Sequence, residues 1–191
     1  MSFETPPPIL NLLIEMDRLE HEIEMGIADI NFCIQNIQSN TKDQKIKQYG
    51  NELVDIFEKR EAIFDKRHEA KKLSSMEIFI LDHQVEMINE IFKNIKKQNK
   101  IDSIVFFIDK LEKTWVLRED MMEELKNIKD NKLDKAIKET GEEYSASDWV
   151  TGWKKHKKNV GCDNFYTQWY RPKYDQGCRP KNEKYKYVLD E

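Results

Sequence analysis

Proline is absent between Ile9 and Arg171, and the 191 residues hold only six glycines and five prolines. A propeller, a sandwich or a collagen-like array needs far more turn residues than that. Long apolar runs are lacking as well, and with 36% of residues charged a membrane-spanning helix is excluded. The three cysteines, Cys33, Cys162 and Cys178, are too few for a disulfide scaffold, and one of them is odd. No Asn-x-Ser/Thr sequon occurs, and no basic residue precedes Arg18 while Glu4 is acidic. A signal peptide wants a basic start and a transit peptide wants arginine without acids. The expectation is an intracellular protein, soluble or complex-bound. What the chain does contain is enough material for a core. Leu, Ile, Val and Phe supply 48 residues, about a quarter of the chain and above the roughly one-fifth below which disorder is expected.

Charge of one sign is unevenly spread. Residues 149–188 carry ten Lys/Arg against three acids, whereas the 148 residues before them carry 22 Lys/Arg against 31 acids. The last fifty residues also hold ten of the twenty aromatics. Composition therefore changes near Gly141, and the chain reads as three parts: an extended arm over 1–8, a helical bundle over 9–140, and an aromatic, basic docking segment over 141–191.

Periodicity carries the fold. From Ile9 onward, Leu12, Met16, Leu19, Ile23, Ile27, Ile30, Ile34 and Ile37 fall at steps of three and four, one stripe of a helix. Thr41-Lys42-Asp43-Gln44 has the form of a capping box before a second helix with Ile46, Tyr49, Leu53, Ile56, Phe57, Ile63 and Phe64 inward. Its end, residues 65–72, has no large apolar side chain and is expected outside the core. Ser74-Ser75-Met76-Glu77 is a further capping box, opening a third helix with Leu81, Val85, Ile88, Phe92 and Ile95 on one face. Asp102 or Ser103 is the expected cap of a fourth, which runs through Ile104, Ile108, Leu111, Trp115, Met122, Leu125 and Ile128, on to Leu133 and Ile137. Thr140-Gly141 ends it. Four helices joined by short loops predict an all-α protein: an antiparallel helical bundle or long helical hairpins, with a mostly irregular appendage. Within that appendage Ser145 to Asp148 offer caps for one short helix, Trp149 to about Lys158. The apolar excess of helices three and four (Met76, Phe79, Met87, Phe106, Phe107, Met121, Met122) predicts that these two are central in the bundle. The alternative is that part of the extra face docks another subunit.

No phosphate-binding glycine loop is present. A di-iron bundle site needs Glu-x-x-His pairs, but the residues three before the four histidines are Arg18, Asp65, Ile80 and Trp153. His83, beside Asp82 and Glu86, reads as a helix boundary residue rather than a catalytic one. Cys33 lies next to the first stripe and reads as a small buried hydrophobe. For Cys162 and Cys178 the expected state is free thiols. A disulfide, or a zinc site with His156 and Asp163 or Asp175, is the competing reading, though no Cys-x-x-Cys knuckle supports it. No cofactor or metal is implied.

The interleaving of aromatics with cations over 149–188 is the main functional signal. Trp149, Trp153, Tyr166, Trp169 and Tyr170 are residue types that dominate protein–protein hot spots. Lys154, Lys155, Lys157, Lys158, Arg171 and Arg179 supply steering charge. Two other uses fit the same residues: a lid folded back on the bundle, and nucleic-acid binding by stacking and phosphate neutralisation. The acidic first 148 residues repel phosphate, which ranks nucleic acid behind protein. The sequence thus predicts a non-enzymatic structural or adaptor subunit of a larger assembly, docking through its C-terminal segment. A nucleic-acid-associated factor using residues 149–188 is the alternative.

Overall fold

A computed structural model describes residues 5–68 and 73–159. Among these there is no strand. Six α-helices follow one another: α1 (Pro7–Asn40), α2 (Gln44–His68), α3 (Ser75–Gln98), α4 (Asp102–Asn127), α5 (Leu133–Thr140) and α6 (Ala146–Asn159), with a π-helical turn, Ile128–Lys132, joining α4 to α5. The protein is all-α, as the periodicity requires. Among the described residues, one compact unit takes in those up to Met25 and those from Leu117 onward, and the other is Gly26–Val116.

The ends of the helices show which local signals decide. Helix α1 begins two residues before the expected Ile9. Pro7 and Pro8 lie in its first turn, where missing amides cost nothing, and the Pro6 carbonyl accepts from Ile9 N and Leu10 N at 3.0 Å each. Pro7 and Pro8, expected in an arm over 1–8, are therefore helical, and residues 1–4 of that arm lie outside the described residues. At α2 the cap is Asp43 rather than Thr41: Asp43 Oδ1 accepts from Lys45 N at 2.9 Å, while the Thr41 hydroxyl accepts from Asp43 N at 3.1 Å. Asp43 is held below the usual carboxylate range, first by the Gln98 amide that donates to it and next by the Lys45 amide. Helix α3 opens with the expected box, Ser74 Oγ accepting from Glu77 N and Glu77 Oε1 accepting from Ser74 N. Helix α4 already includes both residues expected as its cap, Asp102 and Ser103. Asn99 closes the turn before it, through Ile101 N and Ile101 O. Gly141 ends α5 at φ 71°, a conformation that favours glycine.

The second unit is an antiparallel bundle. The later turns of α1, then α2, α3 and the first turns of α4 share one core, in which Ile34, Leu53, Ile88, Phe92, Ile108 and Trp115 are buried. Phe92 and Trp115 meet edge to face, centroids 5.9 Å apart. Cys33 belongs to this core, and burial pushes its thiol up from the ordinary value; it is the small hydrophobe the sequence implied. Gly50 brings α2 against α1: a Cβ there would sit 2.6 Å from the Gln38 side chain, whose amide donates to the Lys47 carbonyl and to Asn51. Arg60 is buried within the same unit, donating to the Leu81 carbonyl at 2.8 Å with its guanidinium over the Phe64 ring.

The first unit is built on the opening turns of α1, the end of α4, the π turn, α5 and α6. Ile9, Leu13, Met16, Leu19 and Ile23 are buried from α1, and Leu125, Ile128, Leu133 and Ile137 from the later segments. The π turn has a reason in the spacing. An α-helix returns to one face after three or four residues, but Ile128 and Leu133 are five apart. Widening one turn to an i→i+5 hydrogen bond, from Leu133 N to the Ile128 carbonyl, puts both back on the inner face.

Candidate protein interface

Of the eleven side chains singled out for docking, Tyr166, Trp169, Tyr170, Arg171 and Arg179 lie outside the described residues, as do Cys162, Cys178 and the rest of the expected appendage from residue 160 onward. The other six lie on α6, and the helix sorts them by face. Trp149, Trp153 and Lys157 recur every four residues and are all buried; Lys154, Lys155 and Lys158 are exposed. Helix α6 forms where expected because Ser145 caps it in a box with Asp148, each backbone amide donating to the other's side chain.

The inner face of α6 closes on one acid that sequence reasoning did not single out. Asp17 of α1 is 1% exposed and Lys157 3% exposed. Asp17 Oδ1 accepts from Lys157 Nζ at 2.7 Å and its Oδ2 from Trp153 Nε1 at 3.1 Å. Both carboxylate oxygens are thus engaged, which is the condition under which a buried pair is tolerated. Tyr144 meets Trp149 edge to face, and His156 stacks on Trp153 with centroids 5.8 Å apart. The two tryptophans therefore serve the first unit's own interior. The available signal was the Trp-x-x-x-Trp-x-x-x-Lys spacing combined with an acid one turn beyond Leu13, on the same side of α1.

Burial holds the His156 imidazole below its ordinary value of 6.5. The unfolded chain then takes up a proton at a higher pH than the folded chain does, so unfolding gains from acidification. The contribution of His156 to stability is full above about pH 7.5 and falls as the pH drops through about 6.5. Urea midpoints measured at about pH 7.5 and about pH 5.5 should show this loss, and His156→Gln should remove most of it. The same slope in that variant would assign the loss elsewhere.

In the second unit, α3 is not enclosed by the bundle. Met76, Phe79, Ile80 and Met87 are exposed, Phe79 at 65%, and so is Phe106 of α4 at 63%. The expectation that α3 and α4 are central fails here: α3 buries Leu81, Gln84, Ile88, Ile91, Phe92 and Ile95, with Val85 partly buried against the same core. Met76, Ile78, Phe79, Ile80 and Met87 are left exposed. His83 is exposed as well, stacked on Phe79 at 6.2 Å.

Among the described residues no three His, Cys, Asp or Glu side chains are placed to share a metal ion, and no described helix is long and apolar enough to cross a membrane. Comparison with known families, with curated proteins and with solved structures finds no match.

Proposed function

We propose that this protein is a non-enzymatic structural or adaptor subunit of a larger protein assembly, docked there by its C-terminal aromatic–basic segment. The observation that carries this reading is the two-sidedness of α6. Its inner face is locked to Asp17 by Trp153 and Lys157. Its outer face presents Lys154, Lys155 and Lys158 to solvent, at the point where the chain passes into residues 160–191. Anchor residues Tyr166, Trp169 and Tyr170 follow closely, with Arg171 and Arg179. A rigid helix reduces the ordering cost of a docking segment attached to it, and the lysines steer it to an acidic partner.

The test is affinity capture from native extract with the full chain and with a Trp169→Ala, Tyr170→Ala, Arg171→Ala variant, with and without nuclease. Removing residues 141–191 would be the wrong comparison, because it strips Trp153 and Lys157 from Asp17 and damages the first unit itself. Protein partners that survive nuclease and are lost with the triple variant are the expected result. Partners lost to nuclease would replace this reading with nucleic-acid binding, and capture unaffected by the variant would remove the segment from the function.

A further inference from the structure

We infer that the outer face of α3 is a docking surface for a basic amphipathic helix of another protein. Single exposed apolar side chains are ordinary, but a contiguous row is not. Met76, Phe79, Ile80, His83 and Met87 recur at three- and four-residue steps along one side of α3, and all are exposed. From Met76 to Met87 the row is about 16 Å long.

The backbone of α3 fixes the shape of the occupant. Its amides and carbonyls are spent inside the helix, so an extended peptide laid along the row would leave its own unpaired against apolar side chains. A partner helix brings its hydrogen bonds with it and presents apolar residues at the same three- and four-residue steps. Roughly three turns of such a helix match the row. Met76 and Met87, at the two ends, are flexible side chains that adapt to partner residues of varied shape.

Charge beside the row fixes the sign of the occupant. Between Ser75 and Phe92 helix α3 contains no lysine or arginine; its cations, Lys93, Lys96 and Lys97, come after. Asp82, Glu86 and Glu90 follow Phe79 at steps of three, four and four, and all three are exposed. Among the described residues none of them is paired with a lysine or arginine, and Glu86 lies 3.9 Å from the exposed His83. Glu77 is different: its carboxylate is committed to Ser74 and to Lys66 at 3.0 Å. Two copies meeting through α3 would set acid against acid, which is unfavourable. A lipid surface is disfavoured too, because helices that lie on membranes carry lysine and arginine beside their apolar face. A helix with cations flanking its apolar stripe satisfies both the row and the acids.

The other exposed aromatic patch of the second unit lacks this chemistry. There Phe32 and Phe106 both meet Phe107 edge to face, and Lys110 stands over the Phe32 ring at 5.7 Å. It supplies the control.

The experiment titrates the purified full chain into a fluorescein-labelled peptide and follows anisotropy. The peptide has about 14 residues, roughly four helical turns, with leucine at steps of three and four and lysine elsewhere. A glutamate counterpart and a scrambled leucine–lysine order are the comparisons. The expected affinity for the ordered lysine peptide is at least tenfold above either. Phe79→Ala with Met87→Ala should weaken it at least tenfold, and Asp82→Lys with Glu86→Lys should transfer the preference to the glutamate peptide. These four positions are exposed, so the variants should fold as the parent does. Phe106→Ala should bind as the parent does. So should the Trp169→Ala, Tyr170→Ala, Arg171→Ala variant, since binding at α3 does not rest on the docking role proposed for residues 160–191. No binding of the lysine peptide at about 1 mM, its loss in the triple variant, or an affinity indifferent to the α3 substitutions would overturn the inference. A concentration-dependent dimer, seen by sedimentation velocity and abolished by Phe79→Ala with Met87→Ala, would also overturn it by giving the face to a second copy.

Discussion

Asp17→Ala lowers the unfolding free energy by about 3–5 kcal/mol, the cost of leaving one partner of a buried ion pair behind. The cause is what the substitution strands rather than the attraction it removes. Lys157 Nζ loses an acceptor 2.7 Å away and Trp153 Nε1 loses one at 3.1 Å, inside a site that water does not reach. The ammonium then recovers its hydration only if α6 moves away from α1, which also exposes Trp149 and Trp153. Two readings should therefore change together: the urea midpoint falls, and tryptophan emission shifts to the red. Replacing both charges by apolar groups of similar size, Asp17→Leu with Lys157→Met, should restore most of the loss, because a well-packed apolar pair is often as stable as the ion pair it replaces. A loss below about 1 kcal/mol for Asp17→Ala, the range of an exposed pair, would mean that Asp17 and Lys157 meet at the surface.

The Asp17 site also marks where sequence reasoning stopped. The stripes of α1, α2 and α3 are legible because their apolar residues repeat at helical steps, and Ile30, Ile34, Ile37, Leu53, Ile88, Phe92 and Ile95 are all in the core. The box at Ser74 and the stop at Gly141 are legible because each rests on residues next to one another in the chain. Asp17 is not legible in this way. An acid on an apolar stripe is read as a breach of the pattern, and its justification lies 140 residues further on. Lys157 was hidden in the same manner, since four lysines in five residues look alike in a sequence and only the turn of α6 separates one from the other three. The π turn was written in the five-residue step from Ile128 to Leu133, a spacing that looks irregular until the helix is allowed to widen. The exposed face of α3 was misread for the opposite reason. Apolar residues around most of a helix suggest burial on all sides, and nothing local distinguishes a face that meets the bundle from one that does not.

That distinction has its largest measurable consequence in a pair of identical truncations. Phe92→Ala should cost about 3–5 kcal/mol, whereas Phe106→Ala should stay within about 0.5 kcal/mol of the parent. Both remove the same atoms from the second unit. Phe92 is fully enclosed, with Trp115 against its ring, so its removal leaves a cavity whose walls lose dispersion contacts and relax only in part. Phe106 sits at 63% exposure; its removal opens no cavity and returns little apolar area to water. Denaturant unfolding of the two variants at one pH measures the difference directly, and an unchanged slope in both confirms that stability, not the extent of unfolding, has moved. Equal losses at the two positions would mean that Phe106 is enclosed in the folded chain as well. A small loss at Phe92 would place the centre of the core elsewhere than between α3 and α4.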